Sequence, residues 1–125
     1  MEITIGIMIA LFWHFQHLLI AFFENIVSQM LVANGHKLYF YTRYSEEKHR
    51  NDIEIDFLLT TGNKVSQKLI PIEVKSSKSY KTESMINFIE KFKTRIDKTY
   101  IIHHKNLTIR EDGIICILAY MTFCL

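Results

Sequence analysis

Hydrophobic and polar residues alternate in two stretches near the middle of the chain. One is residues 52–59 (DIEIDFLL), where Ile53, Ile55 and Phe57 recur at every second position, and the other is residues 69–75 (LIPIEVK). A period of two indicates a β-strand with one face in the core. A turn-forming Thr-Thr-Gly-Asn sequence follows the first stretch, so the two predict a hairpin. Pro71 has no N–H to donate, which predicts that the second strand lies at a sheet edge or is bulged near its start.

Apolar residues at three- and four-residue spacing predict a helix on each side of this hairpin. Residues 8–34 are predicted to form one long helix or two shorter ones, and Gly35 is a typical helix stop. Residues 82–96 are apolar on one side and charged on the other, which predicts a surface helix whose cap is Thr82 or Ser84.

Further strands are predicted at residues 37–44, 99–103 and 113–118, which are rich in β-branched and aromatic residues. The predicted order is α-β-β-β-α-β-β. A helix between the third and fourth strands implies a crossover within a mixed sheet flanked by helices, so the fold class is α/β, bordering on α+β. With 125 residues, the chain has room for one such domain and little else.

Residues 3–23 contain no Lys, Arg, Asp or Glu and are long enough to cross a bilayer as a helix. The polar His14, Gln16 and His17 near their middle, the absence of a preceding basic flank and the absence of a small-residue cleavage pattern favour a buried or oligomer-forming helix over a membrane or interfacial one. We therefore divide the chain into an apolar N-terminal helix (1–22) and a folded domain (23–125). A homo-oligomer, most simply a dimer, is expected to form through that helix.

Net charge and cysteine content say less about function than the hydrophobic pattern does. Cys116 and Cys124 both lie in an apolar run and do not match a disulfide framework or a zinc site, so a cytoplasmic location is expected. Net charge is only +2, but residues 75–105 contain eight basic residues against three acidic ones. This excess can attract a polyanion, although the charge run taken alone favours the solvated face of a helix.

The chemistry-bearing residues lie in the predicted hairpin. Glu73 and Lys75 are two apart and therefore project from the same face of their strand. Asp56 falls in a strand otherwise bound for the core, where a carboxylate is costly unless it is paired or binds a metal. If the hairpin is centred between Lys64 and Val65, Asp56 lies opposite Glu73. Two facing carboxylates repel each other, and a divalent cation between them turns that repulsion into coordination.

This arrangement suits phosphodiester hydrolysis. Asp56 and Glu73 would hold Mg²⁺ or Mn²⁺, while Lys75 would orient water and stabilise negative charge in the transition state. Glu24 on the first helix could supply a further carboxylate to the metal or to a bound water. The alternative is structural: Glu73 and Lys75 can form a same-face ion pair with no role in catalysis.

The order of these residues resembles the PD-(D/E)XK nuclease superfamily, and most of all the nuclease-like C-terminal domain of prokaryotic AAA-type ATPases. The resemblance rests on residues 23–27 (FENIV), 34–41 (NGHKLYFY), 54–57 (EIDF) and 71–76 (PIEVKS). It implies a restriction-endonuclease-like fold, Mg²⁺ dependence and a nucleic-acid substrate, with Glu24, Asp56, Glu73 and Lys75 as catalytic residues. Ile55 stands where the superfamily has its name-giving proline. The sequence has no G-x-x-x-x-G-K-[ST] loop, so an ATPase is expected only as a separate partner.

The leading hypothesis is therefore a metal-dependent endonuclease that hydrolyses DNA. The alternative is a non-catalytic nucleic-acid-binding or assembly module that keeps the nuclease fold, and a third possibility is a small membrane-attached protein. Ser77, Lys78 and Lys81, which follow the Glu73–Lys75 strand, are weaker candidates for contacts with phosphate.

Overall fold

A computed structural model describes residues 2–75, 81–103 and 107–125, with side chains from residue 4 onward. The predicted order of elements is confirmed, with one short additional strand and a terminal 3₁₀ helix. The elements are α1 (Glu2–Ala33), β1 (Tyr39–Ser45), β2 (Arg50–Thr61), β3 (Lys68–Val74), α2 (Glu83–Lys91), β4 (Tyr100–His103), β5 (Thr108–Ile109), β6 (Ile115–Leu118) and the 3₁₀ helix Ala119–Cys124.

The described strands form a mixed sheet in the order β1-β2-β3-β4-β6-β5. β1, β2 and β3 are antiparallel neighbours, because tight connections join them. β4 is parallel to both β3 and β6, and the connection from β3 to β4 carries α2. This crossover confirms the α/β class that the sequence predicts.

Each face of the sheet is covered by one hydrophobic cluster. Met85 and Phe88 of α2 pack on one face, together with buried side chains of four strands: Ile53, Ile55, Leu69, Ile101 and Cys116. Val27 and Leu31 of α1 pack on the other face, over Leu59, Ile72, Val74, Ile102 and Ile117. Fully burying a side chain of this size stabilises the fold by about 1.5–3 kcal/mol, so these two layers hold α1 and α2 in place.

The end of α1 is set by Gly35, as predicted. Its φ of +85° is the left-handed conformation that a residue with a Cβ adopts only at a cost. The Gly35 N–H donates to the Val32 carbonyl at 2.9 Å, and the His36 N–H donates to the Leu31 carbonyl at 3.1 Å. These two bonds form a Schellman motif, which satisfies carbonyls that the helix itself leaves unpaired.

The N-terminal part of α1 corrects the expectation of a helix buried within this chain. α1 is one continuous helix, and every side chain from residue 4 to residue 22 is exposed in the described structure. Packing against the domain begins at Phe23 and continues through Val27 and Leu31. Only the C-terminal third of the helix therefore belongs to the folded core.

α2 is shorter than the predicted helix over residues 82–96, because tertiary pairing ends it early. The helix stops at Lys91, and a turn brings Ile96 alongside Leu69 of β3. There the Leu69 N–H donates to the Arg95 carbonyl at 2.8 Å, and the Asp97 N–H donates to the Leu69 carbonyl at 3.0 Å. The apolar period continues to Ile96, but its last residue pairs with the sheet instead of completing the helix.

The sequence predicts that β3 is an edge strand or is bulged near its start, and the edge alternative is wrong because β3 lies between β2 and β4 in the sheet. Pro71 is tolerated there by its position along the strand. It falls between the bridge at Leu69 and the parallel ladder to β4, which begins at Ile72. Its missing N–H therefore coincides with a gap in the pairing on that side.

Candidate functional site

The register of β2 and β3 brings the two central carboxylates together. Phe57 pairs with Ile72 at the end of the antiparallel ladder. Asp56 and Glu73 are the next residues along the two strands, in the facing positions that the sequence predicts for a hairpin centred between Lys64 and Val65. The predicted register is confirmed over the paired residues, and the carboxylates lie at the point where regular pairing stops.

A bulge in β2 marks the same point. Tyr39 of β1 pairs with Leu58 and Tyr41 pairs with Ile55, so two residues of β2, Asp56 and Phe57, face only Phe40. Bulges are common beside functional sites because they redirect side chains and interrupt pairing.

The bulge also corrects the alternation predicted for β2, which placed Ile53, Ile55 and Phe57 on one face. Ile53 and Ile55 pack on the α2 side, whereas Phe57 and Leu59 pack on the α1 side. Asp56 lies where the strand changes face. One oxygen of its carboxylate, Oδ2, accepts a hydrogen bond from the Val74 N–H at 2.8 Å, which ties it to β3.

Glu73 is a buried charge with an incomplete set of partners. It is only 1 % exposed, and the neighbouring Ile72 and Val74 pack on the other side of the sheet, with α1. Lys75 Nζ forms an ion pair with Glu73 Oε2 at 3.2 Å, but this oxygen has no well-formed hydrogen bond from any residue that the structure describes. An unsatisfied buried acceptor costs about 1–3 kcal/mol, so the fold keeps Glu73 at an energetic disadvantage.

Burial raises the pKa of both carboxyl groups above their ordinary values. For Glu73, the cationic Lys75 opposes the effect of burial on the pKa, and the negative charge of Asp56 adds to it. For Asp56, the Val74 N–H and the Lys75 ammonium both act against the effect of burial, which still dominates. Raised pKa values at facing acids are typical of sites that bind a cation or transfer a proton.

All four residues predicted to be catalytic line one cavity of about 330 Å³. Glu24 reaches it from α1, on the opposite side of the sheet from α2, and lies within electrostatic range of Asp56 and Lys75. Lys81 also lines this cavity. Ser77 and Lys78 lie outside the described residues, so their predicted phosphate contacts stay predictions.

Comparison with known families matches residues 21–123 to a family described as a domain of unknown function, DUF4143. The chain belongs to this family. Domains of the DUF4143 family typically occur with AAA-type ATPases. Neither the curated proteins nor the solved structures contain a match to this chain.

The acidic residues of this DUF4143 domain fit a hard divalent cation only in part. Among the described residues, no group of three His, Cys, Asp or Glu side chains is placed to hold a metal. The expected third ligand, Glu24, is thus not grouped with Asp56 and Glu73. Two carboxylates still suffice for Mg²⁺, which keeps several waters and is often held by one or two carboxylates plus substrate phosphate. Oε2 of Glu73, which accepts no well-formed hydrogen bond from the described residues, supports a role in binding Mg²⁺.

Sequence reasoning missed how α2 is attached beside this cavity. Ser84, considered only as a helix cap, instead contacts β2: its hydroxyl donates to the Glu54 carbonyl at 2.9 Å and accepts from the Glu54 N–H. The neighbouring Glu83 binds Lys48 at 2.9 Å and Arg50 at 3.2 Å. Both glutamates and the serine are far apart in sequence from their partners, so no local pattern could have revealed these contacts.

Proposed function

We propose that this DUF4143 domain is a metal-dependent nuclease that hydrolyses DNA phosphodiester bonds. The observation that carries the proposal is that Asp56 and Glu73 lie opposite each other at the end of the ladder between β2 and β3, with Lys75 beside them. Glu73 is buried and Asp56 is half-buried, both have raised pKa values, and one Glu73 oxygen has no well-formed hydrogen bond from the described residues. A domain that needed only stability would gain by replacing this pair with apolar residues.

In this proposal Asp56 and Glu73 hold Mg²⁺ or Mn²⁺ through their oxygens. A bound ion of this type polarises a phosphate and lowers the pKa of an attacking water. Lys75 places a positive charge where the phosphate oxygens gain negative charge in the transition state. Its ammonium is held beside Glu73 and is only partly exposed, which limits the directions it can take. Glu24, on the cavity wall, would accept a hydrogen bond from a water molecule and orient it.

The family membership supports a setting for this activity. Since DUF4143 domains typically occur with AAA-type ATPases, we propose that this domain works beside such an ATPase in the cytoplasm. Lys81 lines the cavity together with Arg50, and these cations would attract the phosphate backbone on either side of the bond to be cut.

The direct test is cleavage of single-stranded, duplex and branched DNA by the purified full-length chain with Mg²⁺ or Mn²⁺. Asp56→Asn, Glu73→Gln and Lys75→Ala should each lower the rate by about 10²-fold or more, by analogy with the loss of one stabilising group in other active sites. The matched controls are Glu90→Gln and Lys93→Ala, which change exposed charges outside the cavity and should leave the rate within about twofold. Cleavage that survives all three site substitutions would refute the proposal.

The alternative is a non-catalytic nucleic-acid-binding or assembly module with the same fold. It is favoured by the 3.2 Å approach of Lys75 to Glu73, which can neutralise the buried charge without a metal, and by the lack of a third ligand in the part of the chain that the structure describes. Titration calorimetry separates the two hypotheses. A nuclease requires Mg²⁺ or Mn²⁺ binding that Asp56→Asn abolishes, whereas the alternative requires DNA binding or self-association with no specific uptake of either ion.

A further inference from the structure

Twelve large hydrophobic side chains of α1, between Ile5 and Phe22, are exposed in the described structure. Every side chain from residue 4 to residue 22 is exposed, and no described element of the chain packs against them. The exposed residues include Met8, Phe12 and Leu18, each more than 60 % accessible. Apolar surface of this extent in contact with water is unfavourable, so some other material covers it.

The distribution of apolar residues around the helix identifies that material. Ile7, Met8, Ile9, Leu11 and Phe12 are nearly consecutive, and each residue advances about 100° around an α-helix, so they point in all directions. A second helix in water would cover one stripe and leave the others exposed. A helix that is hydrophobic all round belongs in the core of a large protein or in a membrane.

The length of the run also matches a bilayer. Residues 3–23 have no charged side chain, and at 1.5 Å per residue they extend about 31 Å, close to the roughly 30 Å of a hydrocarbon core. By length and composition, α1 is the one helix among the described residues that could cross a membrane, and its apolar window is 0 % buried.

Two of the three polar residues near the middle of the run share one side of the helix. Gly6, Ala10, His14, His17 and Ala21 are three or four residues apart and therefore share one face. The His17 ring also packs edge-on against the Trp13 ring at 4.1 Å, which shields part of it. Small and polar residues on one face are typical of helices that pack together within lipid. Gln16 lies outside this face and is the one uncharged polar amide that a membrane helix would have to accommodate.

We propose that residues 3–23 cross a lipid bilayer and hold the domain at the surface of the membrane. Glu24, which lines the cavity, is the first charged residue after this run, and α1 continues without a break into the domain. The cavity is therefore within about one helical turn of the lipid headgroups. This proposal rests on α1 alone and stands or falls independently of nuclease activity.

The test uses Trp13, the only tryptophan in the chain, which lies at the centre of the uncharged run. The full-length chain is reconstituted with phosphatidylcholine vesicles, and separate vesicle preparations carry bromine at deep or shallow acyl positions. We expect the chain to float with the vesicles after an alkaline wash, and deep bromines to quench Trp13 emission most strongly. Strongest quenching by shallow bromines would indicate a helix lying along the surface and would overturn the proposal.

A pair of charge substitutions provides the control. Leu11→Arg places a charge in the middle of the run at a position with no contact to the domain, and Val65→Arg places one in the exposed loop between β2 and β3. Leu11→Arg should reduce the vesicle-bound fraction after the wash at least tenfold, whereas Val65→Arg should leave it within twofold. A wild-type chain that remains in the aqueous phase as a discrete oligomer, with Trp13 unaffected by bromine, would instead identify a second copy as the partner.

Discussion

Replacing Glu73 with Gln is expected to stabilise the metal-free domain while removing its chemistry. The side chain is 1 % exposed, its Oε2 receives no well-formed hydrogen bond from the described residues, and burial raises its pKa. The amide keeps the size and shape of the side chain but carries no charge to desolvate. Lys75, which loses its ion pair, is 26 % exposed and can be hydrated instead.

The magnitude follows from the two opposing effects. The carboxylate charge loses its hydration on folding, and the nearby ammonium restores only part of that free energy. We therefore expect a gain on the order of 1 kcal/mol in the free energy of unfolding, which corresponds to a change of about one unit in a pKa. For a chain of this length, each kcal/mol corresponds to roughly 3–6 °C in Tm, between the values typical of smaller and larger domains.

The stability gained by Glu73→Gln should depend on pH, because it arises from removing the ionisation of the Glu73 carboxyl group. The pKa of Glu73 in the folded state lies above the ordinary value of 4.5, so the folded protein retains a proton that the unfolded chain has released. The free energy of unfolding of the wild-type domain therefore falls as pH rises from about 4.5 through the raised pKa. The advantage of Glu73→Gln is absent below that window and complete above it.

Urea and thermal unfolding followed by circular dichroism, with EDTA and a non-ionic detergent to disperse α1, measures this difference at low and at neutral pH. Glu90→Gln removes an exposed carboxylate from α2 and should change the free energy of unfolding by less than about 0.5 kcal/mol at either pH. If Glu73→Gln is less stable than the wild type at neutral pH, the Glu73–Lys75 pair is a net stabilising element. In that case the fold does not keep Glu73 at an energetic cost.

Three further predictions use the same unfolding assay. Mg²⁺ at ten times its Kd should stabilise the wild type by about 1.4 kcal/mol, and Asp56→Asn should abolish that stabilisation. Equal stabilisation of the wild type and the variant would indicate that Mg²⁺ binds elsewhere. Leu31→Ala should lower the free energy of unfolding by about 2–5 kcal/mol because it opens a cavity between α1 and the sheet. Val32→Ala, at the exposed neighbouring position, should lower it by less than about 0.5 kcal/mol. Similar losses in the two variants would contradict the observed packing. Gly35→Ala should cost about 1 kcal/mol because φ is +85°, while Gly6→Ala, in open space on α1, should not destabilise.

The hairpin and its carboxylates could be predicted from the sequence because every step depends on local geometry. Alternation identified the strands, and the turn between them fixed a register that the ladder from Phe57–Ile72 to Thr61–Lys68 confirms. Once the register is known, the facing of Asp56 and Glu73 follows without any long-range information.

Features decided by distant contacts were not predictable in the same way. The end of α2 depends on pairing between Ile96 and Leu69, and no glycine or proline marks it. Pro71 suggested an edge strand, but its place within the sheet depends on where the ladder to β4 begins. The anchoring of Ser84 on Glu54 joins residues 30 positions apart. Each of these depends on tertiary packing, which overrides local preference.

The bulge at Asp56 explains how a core-forming strand can carry a charged site. Regular alternation would place Ile53, Ile55, Phe57 and Leu59 on a single face of β2. The bulge divides them, so that two fill the α2 layer and two fill the α1 layer. Asp56 lies at this bulge, where it has no one-to-one partner in β1, and its carboxylate accepts a hydrogen bond from the Val74 N–H.

The position of this carboxylate is thus set by the backbone of two strands and by packing on both sides of the sheet. Substituting Asn for Asp56 or Gln for Glu73 changes charge without changing any of those constraints, because the apolar residues that define the bulge and the register remain. A loss of metal binding or cleavage in these variants can therefore be assigned to the missing charge, provided that the two hydrophobic layers still unfold cooperatively.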